Sequence, residues 1–131
     1  MKTHISLETS NLDESVRFYS TLLNATPLKR YNDYALFVAS DPGLELALRM
    51  TSSRARENDA HYGIAVETND AVDAAIRRIQ NAGFPLDIET EETCCYAKQN
   101  KVWATDPDGR RWETYVVLEE VEPEAAGACC T

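Results

Sequence analysis

The residues HYGIAVET (61–68), followed at once by NDAVDAAIRRIQNAG (69–83), decide the fold. The first segment reads as a strand. Neighbouring strand residues face opposite sides, so Tyr62, Ile64 and Val66 share one face, and His61, Gly63, Ala65 and Glu67 share the other. The second segment is a helix, with Asn69 or Asp70 at its start and Gly83 as its C-cap. The same order occurs earlier in the chain. THISLET (3–9) alternates polar and apolar residues, and SNLDESVRFYSTLLN (10–24) is an amphipathic helix with Leu12, Val16, Tyr19 and Leu23 at helical spacing. Ser10 or Asn11 can cap it, and Asp13 and Glu14 suit its first turn. Three short strands follow each helix. In the first half they lie near Lys29–Tyr31, Tyr34–Ala39 and Leu44–Met50, the last two joined by the turn SDPG. In the second they are FPLDIET, KVWAT and RRWETYVVL, with the turn DPDG before the last.

Strand–helix–three strands, twice over, predicts an α+β fold: two βαβββ modules forming a curled mixed sheet with a cavity. The ordered domain spans 1–118, with modules of about 1–56 and 57–118 and the polar linker TSSRAREND between them. Residues 119–131 lack periodicity and read as an acidic, flexible tail ending in the pair Cys129–Cys130.

The chain has 131 residues and a formal net charge of −9. That sign argues against nucleic acid and against anionic membrane surfaces. No apolar run approaches the roughly 18 residues of a membrane helix. The opening MKTHISLETS is polar and alternating, which places the protein in the cytoplasm, where thiols stay reduced. Cys94 and Cys95 are adjacent. Their Cα atoms are about 3.8 Å apart, below the disulfide range of about 4.4–6.8 Å, so they read as two free thiols.

The chain has two histidines, His4 and His61, each at the start of an equivalent strand and each on its less apolar face. In the last strand, Arg111, Glu113, Tyr115 and Val117 fall opposite Trp112, Thr114, Val116 and Leu118. If the helices cover the apolar faces, His4, His61 and Glu113 share the helix-free face, where Gly63 and Ala65 leave room. Two imidazoles and one carboxylate suit non-haem Fe(II), and equally Zn, Ni, Co or Mn. The competing reading is two ordinary rim histidines and a solvated strand carboxylate.

The duplicated pattern, with SNLDESVRFYSTLL, HYGIAVET and TDPDGRRWETYVV, resembles the vicinal-oxygen-chelate superfamily of glyoxalases, bleomycin-resistance proteins and extradiol dioxygenases over about residues 2–118. A narrower stretch, EETCCYAKQNKVWATDPDGRRWETYVV, together with KRYNDYALFVASDPGLELAL, is similar to the organoarsenical carbon–arsenic lyases and their cadmium-induced relatives. Leu36 departs from that pattern where lysine is expected, and Glu45 where a neutral residue is usual. The resemblance implies a metal triad of His4, His61 and Glu113, with Cys94 and Cys95 as substrate ligands.

It further implies an Fe(II)- and dioxygen-dependent enzyme that cleaves trivalent organoarsenicals, such as methylarsenite or aromatic arsenicals, and releases arsenite. Trivalent arsenic is thiophilic, and two thiols can replace both exchangeable oxygens of methylarsenite, leaving its carbon–arsenic bond exposed. Tyr96, Lys98 and Lys101 are candidates to close the site or orient oxygen. Two alternatives stand beside this reading. One is a cadmium- or heavy-metal-binding protein without turnover. The other is a glyoxalase-type metalloenzyme with Glu45 as a fourth ligand. Two modules in one chain suit a monomer or a homodimer.

Overall fold

A computed structural model describes residues 2–51, 61–94 and 97–120. The elements are β1 (Thr3–Thr9), α1 (Leu12–Leu23), β2 (Lys29–Arg30), β3 (Tyr34–Ser40), β4 (Gly43–Met50), β5 (His61–Ala65), α2 (Asn69–Ala82), β6 (Leu86–Cys94), β7 (Ala97–Thr105) and β8 (Arg111–Glu120). The fold is α+β, with two four-stranded mixed sheets. Their orders, β1-β4-β3-β2 and β5-β8-β7-β6, repeat one plan: first strand, last strand, third, second. In each sheet the first strand runs parallel to the last, β1 with β4 and β5 with β8. The expected duplication is therefore present strand for strand.

The helices form where the patterning placed them. Asn11 caps α1, its side chain accepting from the Glu14 N–H at 3.1 Å, with Asp13 and Glu14 in the first turn. Asn24 ends the helix in the left-handed conformation at φ 50°. Leu12, Phe18, Tyr19, Leu22 and Leu23 are buried, and α1 packs on β3 and β4. The cap of α2 differs from expectation. Thr68 holds that place, its hydroxyl accepting from the Ala71 N–H at 3.1 Å. Asn69 instead accepts a bond from Asn100, which engages its side chain elsewhere. Gly83 closes α2 at φ 80°, a conformation that glycine enters without steric cost. Val72, Ala75 and Ile79 are buried, and α2 packs on β6 and β8.

Two compact units divide the chain: Met1–Ala60 with Thr105–Arg110, and His61–Ala104 with Arg111–Thr131. In the first unit the core holds Phe37, Leu46, Leu48, Phe18 and Tyr19. The DPDG turn joins it through charge-assisted bonds. The Tyr19 hydroxyl donates to Asp106 Oδ2 at 2.7 Å, and Arg110 Nη2 donates to the Glu8 carbonyl at 2.7 Å. Asp106 also accepts from the backbone N–H groups of Asp108 and Arg110 and from Arg110 Nη1. In the second unit Trp112 stacks on Tyr62 with centroids 5.0 Å apart, and both Trp112 and Trp103 are buried.

Strands β6 and β7 are longer than the apolar patterning suggests, absorbing the acidic run and Cys94, and β8 runs on to Glu120. The polar linker at 52–60, the residues Cys95 and Tyr96, and the tail from 121 lie outside the described residues. Among the described residues no helix is long and apolar enough to cross a membrane.

Two outcomes follow from the turn. Tyr19→Phe keeps the ring against Phe18 but removes a donor from a buried carboxylate, and should cost about 1–3 kcal/mol in urea unfolding. Asp108 is partly desolvated, which raises its pKa, but bonds from Thr9 and Ser10 and the charge of Arg110 outweigh this and hold it below its ordinary 3.8. A depressed folded-state value adds stability at pH above the ordinary value, and that stability is lost as pH falls toward the folded one. Asp108→Asn should therefore destabilise the protein at neutral pH and flatten the acid side of its stability–pH curve.

Candidate active site

Parallel pairing of β5 with β8 places Gly63 beside Glu113 and His61 beside Arg111. Glu113 is buried, as expected for the helix-free face of a sheet only if something covers it. Its Oε2 lies 3.7 Å from His61 Nε2 and 3.7 Å from Lys101 Nζ, both beyond hydrogen-bond distance. That oxygen is buried and accepts no hydrogen bond among the described residues.

Lys101 has 0% side-chain exposure, an uncommon state for lysine. Its ammonium lies 5.6 Å from the Trp103 ring centroid and 5.8 Å from that of Tyr115. Two aromatic faces and a carboxylate thus offset part of its lost hydration. Trp103 holds His61 edge-on at 5.3 Å, and the Arg111 guanidinium lies 4.1 Å from its ring centroid.

The room for Glu113 comes from Gly63. A Cβ at that position would stand 3.1 Å from Glu113 Cγ and 3.2 Å from Tyr115 Cε1. Other buried polar atoms of this unit, Trp103 Nε1 and Glu89 Oε2 among them, have no hydrogen-bond partner among the described residues. Glu89 is the register partner of Lys101, and directly paired residues share a face. One side of the β5-β8-β7-β6 sheet therefore carries an imidazole, a carboxylate with an open lone pair, a second, half-buried acid and an indole N–H. Imidazole and carboxylate together are a donor set for a divalent cation.

His4 belongs to the first unit. Its Nδ1 lies 2.8 Å from Glu45 Oε1, and the two are register partners in the parallel β1–β4 pair. A carboxylate on Nδ1 orients the ring and leaves Nε2 for another partner. Glu45 thus lies on the His4 face of its sheet, a point the alternation of β4 alone did not fix.

Within neither unit, among the described residues, are three His, Cys, Asp or Glu side chains gathered into a metal cage. His61 and Glu113 are brought together, and His4 is brought to Glu45. Cys94 ends β6, paired with Ala97 at the first position of β7. Lys98 ion-pairs with Glu91 and Glu119 at 3.8 and 3.7 Å, while Lys101 is the lysine beside Glu113. The roles of Trp103 and Glu89 were not apparent from the sequence. The alternation of KVWAT was the available signal, since it sets Lys101 and Trp103 on one side and Val102 and Ala104 on the other.

The model of the Glyoxalase/Bleomycin resistance protein/Dioxygenase superfamily matches residues 3–114, and the chain belongs to this family. Among its relatives, the cadmium-induced protein CadI of Mycobacterium tuberculosis is 38% identical over 126 residues, covering 96% of this chain and 82% of the relative. A trivalent organoarsenical cleaving enzyme of Bacillus sp. strain MD1 is 37% identical over 130 residues, covering 97% and 81%. Another, from Thermomonospora curvata, is 35% identical over 133 residues, covering 99% and 88%. The fold is shared with a glyoxalase/bleomycin resistance protein/dioxygenase from Alicyclobacillus acidocaldarius, with a TM-score of 0.74 at 20% identity, covering 91% of this chain and 92% of that one.

Gly63→Ala tests the crowding around Glu113. The added methyl should cost about 1–3 kcal/mol in denaturant unfolding, because one neighbour is a ring and the other a buried carboxylate stem. Ala65→Gly on the same face, where no such room is needed, should cost less than Gly63→Ala.

Proposed function

We propose that the protein is a carbon–arsenic lyase for trivalent organoarsenicals, using Fe(II) and dioxygen. The single observation that carries the reading is the buried Glu113 Oε2, open to a cation and flanked by His61, in a chain whose relatives include organoarsenical cleaving enzymes. His4, His61 and Glu113 would hold the metal, with His4 oriented by Glu45. When bound, Fe(II) supplies the activation of dioxygen that hydrolysis of a carbon–arsenic bond lacks.

The chain's own residues do the rest. The thiols of Cys94 and Cys95 exchange with the two hydroxyls of methylarsenite, forming two arsenic–sulfur bonds and releasing two waters. The product is neutral, so the acidic chain does not repel it. Gripping the arsenical at two points fixes the carbon–arsenic bond in one orientation, a positioning effect of the kind that lowers barriers strongly. The Lys101 cation offsets the cost of burying the Glu113 charge. One methylarsenite and one dioxygen balance, atom for atom, as arsenous acid and formaldehyde.

Anaerobic reconstitution with Fe(II), followed by arsenic speciation with and without air, tests the proposal. Arsenite should form from methylarsenite only when both iron and oxygen are present. Stoichiometric retention of the arsenical without arsenite would instead favour the alternative of a heavy-metal-binding protein without turnover. Cys94→Ser should abolish turnover and keep the iron content. His61→Ala should lose iron and keep the arsenical bound. Iron loss from Cys94→Ser would mean that the thiol serves the metal rather than the substrate.

A further inference from the structure

Strand β6 carries one residue more than β7 along their shared edge. Glu89 pairs with Lys101, but the next pair is Glu92 with Gln99, followed by Thr93 with Lys98 and Cys94 with Ala97. Three steps on one strand answer two on the other, which defines a β-bulge. Directly paired residues share a face. Before the bulge, the β7 face of Lys101 and Trp103 meets the odd-numbered Asp87 and Glu89. Beyond it, the same alternation along β7 meets the even-numbered Glu92 and Cys94. An unbroken β6 would bring Thr93, not Cys94, opposite Ala97.

The bulge turns on Glu91, whose φ is 52°. That left-handed conformation is sterically unfavourable for a residue with a side chain, so something must hold it. The Glu91 N–H donates to Asn100 Oδ1 at 2.7 Å, and Asn100 Nδ2 donates to Asn69 Oδ1 at 2.7 Å. Asn69 is the first residue of α2, so one amide ties the distorted strand to a helix terminus.

We propose that Asn100 is a positioning residue for arsenical binding: by holding the bulge at Glu91, it sets the register in which Cys94, rather than Thr93, pairs with Ala97 on the strand that carries Lys101 and Trp103 on one face. The inference rests on Cys94 as an arsenic ligand, and it explains why an amide lies at a strand position pointing away from that face. Asn100 acts through the backbone and touches no reacting atom.

The test is a titration of the full chain with phenylarsine oxide in the absence of iron and oxygen, read together with hydrogen exchange at the Glu91 amide. Asn100→Ala should weaken phenylarsine oxide binding about tenfold and speed exchange of that amide. Asn100→Asp keeps the acceptor for Glu91 and should bind within about twofold of the unaltered protein. Glycine accepts a φ of 52° freely, so Glu91→Gly combined with Asn100→Ala should recover the lost affinity. The double variant also carries the test should Asn100→Ala alone fold poorly. Unchanged binding in Asn100→Ala, or weak binding in a folded double variant, overturns the positioning role while leaving the lyase reading intact. Failure of the unaltered protein to bind phenylarsine oxide overturns the premise that the thiols take arsenic.

Discussion

A buried carboxylate oxygen without a hydrogen bond is costly, and Glu113 Oε2 is one such atom. Much of the second unit is arranged around it. Lys101 brings a cation within 3.7 Å, at the expense of its own hydration, and Trp103 and Tyr115 offer their ring faces to that cation. Gly63 withholds a side chain where Glu113 needs space. His61 Nε2 stands at the same distance from that oxygen. A full hydrogen-bond complement would have made Glu113 an ordinary structural acid. Instead its Oε2 accepts no hydrogen bond among the described residues and lies 3.7 Å from both a lysine ammonium and an imidazole nitrogen.

The sheets show why the fold leaves such a face for chemistry. In each, one helix packs across one side, taking up the apolar side chains of the strands beneath it. Parallel pairing of the first and last strands then puts two residues of one face side by side, His4 with Glu45 in one sheet and Gly63 with Glu113 in the other. The two sheets thus use one register rule for two purposes. In the first it joins a histidine to an orienting acid. In the second it clears a place for an acid.

How much of this the sequence discloses depends on which physical rule governs each residue. Period-two alternation in HYGIAVET and THISLET placed His61 and His4 on the correct faces, because one side of each sheet is covered by a helix. Helical spacing and acidic first turns located both helices, and the cap at Thr68 was missed because Asn69 is occupied by Asn100 across the chain. The acids of DIETEE obscured the length of β6, since carboxylates are depleted in strands and here depend on a bulge and a partner strand. Lys101 could be assigned a face but not its burial, because only the fold brings Glu113, Trp103 and Tyr115 around it.

The DPDG turn has a consequence for the chain's divisibility. It interrupts the second sheet in sequence, between β7 and β8, yet its residues Thr105–Arg110 belong to the first unit. A fragment ending before His61 would lack Asp106 and Arg110, leaving the Tyr19 hydroxyl without its acceptor and the Glu8 carbonyl without its donor. Cutting the chain at its midpoint would therefore take from the first unit a turn that its own side chains and backbone bind.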